Sequence, residues 1–143
     1  MSHIDTGLDA IEKTLHKTNE WLKDIEEQIG WEDRHFAFQS LRAVLHVLRD
    51  RLPLQEASDL ASQLPTLIRG VFYENWNPSA TPIKDRKTEE FLARIHQYFP
   101  KDDTLDSEMI VRSVFRVMKK HISKGELEDI RANFPAALKP LWD

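Results

Sequence analysis

The feature that most constrains this chain is a repetition: residues 17–73 return as residues 87–143 under a constant shift of 70, without a gap. Lys17-Thr18-Asn19-Glu20-Trp21-Leu22 reappears as Lys87-Thr88-Glu89-Glu90-Phe91-Leu92. Arg42, Val44 and Val47 reappear as Arg112, Val114 and Val117, and Glu56, Asp59 and Pro65 as Glu126, Asp129 and Pro135. Where identity fails, apolar character persists: Ile25 and Ile95, Leu48 and Met118, Leu60 and Ile130, Phe72 and Trp142. The unbroken register predicts a tandem duplication. The expected organisation is a helical extension over 1–16, repeats over 17–73 and 87–143, and a connector over 74–86.

Each repeat reads as about four helices. Ile4, Leu8, Ile11, Leu15, Leu22, Ile25 and Ile29 fall three and four apart, broken only by Thr18, which predicts one amphipathic helix running from the extension into the first repeat. Gly30 is its stop signal. Asp33 caps a second helix reaching about Leu52, and its apolar positions span nearly half its circumference, as in a helix packed between neighbours. The copy covers about Ser107 to Ile122. A third helix starts at Pro53 in one repeat and after Ser123 in the other, ending before Pro65 and Pro135. Short fourth helices are expected over 65–73 and 135–142. Pro78 and Pro82 stiffen the connector, with Trp76 pinning it to the body. No segment alternates like a strand, so the fold class is all-α: a two-lobed helical bundle.

Hydrophobic residues at 41% and charged residues at 31% suit a globular protein, and the net charge of −4 lacks the basic excess of a free-standing nucleic-acid binder. The absence of cysteine removes disulfides, thiolate metal sites and cysteine nucleophiles. The N-terminus does not read as a secretory signal, and no run approaches the roughly 20 apolar residues that span a bilayer. The cytoplasm is the expected location.

Phosphate-binding, dinucleotide, nucleophile-elbow and zinc-protease motifs are missing, and four glycines (Gly7, Gly30, Gly70 and Gly125) supply no phosphate cradle. A di-iron bundle needs Glu-x-x-His on two helices. Glu32 and His35 fit that spacing once, and no other histidine has a glutamate three residues earlier. The expectation is therefore no cofactor, no metal and no catalytic residue.

Candidate binding residues are basic and aromatic. Arg42, His46 and Arg49 sit at i, i+4 and i+7 on the second helix, and the shift lands on Arg112, Arg116 and Lys119. Between residues 108 and 124 five cations face one glutamate, a local inversion of sign in an acidic chain. These stripes bind anions or acidic partners, or they form an internal salt-bridge seam with the duplicated acids Glu56, Asp59, Glu126 and Asp129. Trp31, Tyr73 and Trp76 have no aromatic counterparts in the second repeat, which marks them as surface candidates, against packing under the connector.

Leu45-His46-Val47-Leu48-Arg49-Asp50-Arg51-Leu52, Ala61-Ser62-Gln63-Leu64-Pro65 and Ile68-Arg69-Gly70-Val71-Phe72-Tyr73-Glu74-Asn75-Trp76 resemble a prokaryotic family named domain of unknown function 2267. Gly125-Glu126-Leu127-Glu128-Asp129-Ile130 and Leu141-Trp142 are similar to its second half, so the resemblance covers about residues 12–143. The family carries no assigned activity. The resemblance implies a small bacterial, cytoplasmic protein, with one departure at Phe72-Tyr73, where an aromatic pair led by tyrosine is expected. The functional expectation is a non-enzymatic protein-interaction or regulatory module, with Tyr73 and Trp76 lining a groove between lobes. The alternative is small-ligand or metal binding inside the bundle. An unidentified protein is the expected partner, in preference to nucleic acid or membrane.

Overall fold

The computed structural model describes residues 6–143, and among them lie seven α-helices, two short 3-10 turns and no strand. The helices are α1 (Asp9–Ile29), α2 (Arg34–Arg51), α3 (Leu54–Ser62), α4 (Thr66–Tyr73), α5 (Thr88–His96), α6 (Ser107–His121) and α7 (Lys124–Ala132). Pro78–Ala80 and Lys139–Trp142 form the 3-10 turns.

Local chemistry sets most of these limits. Gly30 takes the left-handed conformation (φ 81°) that ends α1, and its N–H returns to the Glu26 carbonyl. The Asp33 carboxylate accepts from the Phe36 N–H to start α2, and the Ser123 hydroxyl accepts from the Glu126 N–H to start α7. Pro53 is the residue before α3 and not its first turn. The fourth helix expected over 135–142 is reduced to the 3-10 turn at Lys139–Trp142. Pro140 explains the loss: it has no N–H for an α-helical bond and its ring crowds the turn before it, whereas Gly70 stands at the corresponding place in α4.

Eleven residues of α2 are buried, and the helix packs against α1, α4, α5 and α6. Leu41, Val44, Leu45 and Leu48 are fully enclosed, each contributing about 2 kcal/mol by burial. α1 crosses to pack on α6, and α3 packs on α7. The buried apolar side chains from Trp21 through Trp142 consequently form one cluster. This corrects the expectation of two lobes: the halves share a core because their longest helices pack across the division.

The apolar stripe of α1 is only partly covered. Trp21, Leu22 and Ile25 are buried, but Leu8 and Ile11 remain 57% and 41% exposed, and Ile4 lies outside the described residues. The connector is fastened at several points. The Ile83 N–H donates to the Asp50 carbonyl (2.7 Å), Arg51 donates to the Asp85 carbonyl (2.6 Å), and Arg94 pairs with the Asp85 carboxylate. No helix among the described residues is long and apolar enough to cross a membrane.

Candidate functional site

The two basic stripes have different fates. On α2, His46 and Arg49 are each only 3% exposed, so they do not form an outward face. Arg49 donates to the carbonyls of Phe72 (2.6 Å) and Glu74 (2.8 Å) and to the Asp50 carboxylate (2.8 Å). His46 Nε2 meets the Val71 carbonyl (2.6 Å), and its Nδ1 meets the Tyr98 hydroxyl (3.0 Å). Arg42 pairs with the Glu74 carboxylate (2.9 Å) over the ring of Phe38. All three therefore meet the end of α4, where Arg49 supplies donors to two terminal carbonyls and positive charge is favoured. The seam expected with Glu56 and Asp59 does not form, because this face of α2 turns toward α4.

Burial holds the His46 imidazole below its usual pKa, although the Val71 carbonyl pulls the other way. The neutral ring satisfies both contacts, with Nε2–H donating to Val71 and Nδ1 accepting from Tyr98. On unfolding the ring regains its ordinary affinity for a proton, so stability is expected to fall as pH drops below about 6.5. His46→Gln should flatten that slope between pH 7.5 and 5.5 in urea denaturation. An unchanged slope would assign the pH dependence to other groups.

The second stripe stays largely at the surface. Arg112 is held by Glu108 (3.0 Å) and the Pro140 carbonyl (2.9 Å), and Lys119 donates to the Trp142 carbonyl. Lys120 and His121 reach Asp24 of α1. Arg116 and Lys124 are exposed and make no ion pair among the described residues. α6, α7 and the C-terminal turn enclose a pocket of about 420 Å3 lined by Lys119, Lys124, Leu127, Glu128, Arg131 and Trp142. Lys119, Lys124 and Arg131 thus meet Glu128 over an apolar floor, with Arg131 also paired to the Asp143 carboxylate (3.1 Å). The buried indole N–H of Trp142 has no acceptor.

A larger and more polar cleft, about 640 Å3, lies between the first turns of α1, the α3–α4 turn and the end of α6. Lys13, Lys17, Arg69 and His121 line it together with Asp9 and Glu20, and Trp21 stacks on His121 (4.8 Å). Arg69 is committed to the Ala61, Ser62 and Leu64 carbonyls.

Three of the four acids expected in the seam face one another instead of the bases. Glu56 of α3 and Glu126 and Asp129 of α7 bring carboxylate oxygens within 4.8 Å of each other. Burial, and then the hydrogen-bonding carboxyl of Glu56, push Glu126 up to about 8. Beside them Gln63 donates to the Ser123 hydroxyl (3.0 Å) and accepts from the Ser123 N–H (2.9 Å).

Among the aromatic candidates, Trp31 is 54% exposed and leans on Phe36 (4.8 Å). Tyr73 and Trp76 lie side by side (5.2 Å), half-buried against the core. Glu32 and His35 stay exposed around the start of α2. Sequence reasoning did not find Leu127, Arg131 or the Glu56–Glu126 contact. The shift of 70 that relates Glu56 to Glu126 was the one sequence signal that links them.

The family model described as an uncharacterized conserved protein (DUF2267) matches residues 18–141, and the chain belongs to that family. No curated protein matches the chain.

Proposed function

We propose that this DUF2267 chain is a non-enzymatic interaction module, a tandem duplication whose second copy presents a cationic pocket to an acidic polypeptide. The observation that carries the proposal is the convergence of Lys119, Lys124 and Arg131 on one apolar-floored pocket of about 420 Å3. Charge-lined pockets with apolar floors recruit and orient oppositely charged partners.

The duplication reading draws support from three correspondences. α3 (Leu54–Ser62) and α7 (Lys124–Ala132) share their limits under the shift of 70. Arg49 donates to the Phe72 carbonyl as Lys119 donates to that of Trp142, which is the same pair one repeat on. Glu56 and Glu126, also equivalent, meet each other. In this reading one stripe became internal scaffolding, while the second copy leaves Arg116 and Lys124 exposed for a partner.

The test is calorimetric titration with an oligoglutamate peptide. Wild type is expected to bind, with affinity falling steeply as salt rises. Lys124→Glu with Arg131→Glu should weaken binding about tenfold or more, whereas Lys84→Glu with Lys101→Glu should not. Equal affinity in all three proteins would overturn the assignment. A second reading, capture of a small polar ligand, is favoured by the cleft beside Trp21 and His121.

A further inference from the structure

We propose that Glu56, Glu126 and Asp129 form a divalent-cation site of the calcium class at the contact between α3 and α7. One carboxylate oxygen from each lies within 4.8 Å of the other two. Ligands on opposite sides of a calcium ion bound at 2.3–2.6 Å are roughly 4.6–5.2 Å apart, so one ion can touch all three.

A second observation concerns burial. Glu126 is only 8% exposed, and its Oε2 is enclosed with no hydrogen-bond donor. The Oε1 of Glu56 is likewise buried and without a donor. Ionised carboxylates so placed repel one another and lack donors, so without a cation Glu126 keeps a proton shared with Glu56, and a bound ion takes that proton's place. All the donors are oxygens, which selects hard cations over zinc or copper. Three carboxylates supply up to six oxygens, and water at the exposed Asp129 side completes the shell.

The ligands come from helices 70 residues apart in sequence. A bound ion therefore bridges the two halves of the chain and stabilises the folded state alone. The Gln63–Ser123 pair holds the same two helices in register beside the site.

The experiment is thermal melting of chelator-treated full-length protein at pH 8 against added CaCl2, with KCl at matched ionic strength. Calcium is expected to raise Tm by about 4 °C once it exceeds its Kd tenfold, the rise continuing with the logarithm of concentration. Glu126→Gln and Glu56→Gln relieve like-charge repulsion and keep the fold, and both should lose the response. A wild-type Tm unmoved through about 10 mM calcium, about tenfold above the Kd of the weakest protein calcium sites, overturns the proposal. So does an equal rise in the variants or with KCl.

Discussion

Arg49→Met is expected to lower the unfolding free energy by about 3 kcal/mol, the largest effect of any surface-coded cation in this chain. Methionine approximates the volume of the side chain but donates nothing. The Phe72 carbonyl, held at 2.6 Å, would be left buried and bare, and the part-buried Glu74 carbonyl, held at 2.8 Å by the same guanidinium nitrogen, would lose its donor. Each uncompensated group costs about 1–3 kcal/mol. Asp50 would also lose its partner, though at its half-buried position water replaces much of that contact. Lys119→Met removes the corresponding bond to the Trp142 carbonyl, but Lys119 is exposed, so water substitutes and the loss should stay near 1 kcal/mol. Urea denaturation of both variants measures the difference. Similar losses would mean that the two stripes are energetically alike, contrary to the asymmetry described above.

Phe115→Ala is expected to cost about 4 kcal/mol. The ring is 1% exposed and stacks on Trp142 with centroids 3.6 Å apart and planes 6° from parallel. Phe134 closes the group edge-on at 6.2 Å from Phe115 and 5.8 Å from Trp142. Truncation removes transfer energy and leaves a cavity between rigid rings that cannot collapse to fill it. Because the buried side chains form one cluster, the loss should lower the stability of the whole chain, not that of its second half. Helical circular dichroism and tryptophan fluorescence should therefore shift together in a single transition. A separate early transition confined to one probe would show that the halves unfold independently.

How much of this was legible in the sequence follows from the range of each interaction. Gly30, Asp33 and Ser123 act within four residues of themselves, so the helix limits they set could be read directly. The run from Leu45 through Trp76 was enough to identify the family. Pro140 also acts locally, and its place opposite Gly70 could have foretold that the last helix shrinks to a single turn. The destination of the α2 bases could not be read in the same way. Arg49 ends on backbone carbonyls 23 and 25 residues away, and a carbonyl has no side-chain signature. Charge spacing on α2 therefore suggested the acids of α3, while packing turned that face toward α4. The merging of the lobes was hidden for a related reason. The apolar stripes on α1 and α6 announce burial but do not name the helix that covers them.

The central claim is that the pocket lined by Lys119, Lys124 and Arg131 is the surface that meets a partner. Its most direct test is native mass measurement on the chain isolated gently from its source cell, alongside the Lys124→Glu/Arg131→Glu variant. The wild type is predicted to carry a second, acidic polypeptide, and the variant to appear as the bare 16.8 kDa chain. A wild type that carries only an added mass of a few hundred daltons, or a variant that keeps the same polypeptide, would contradict it.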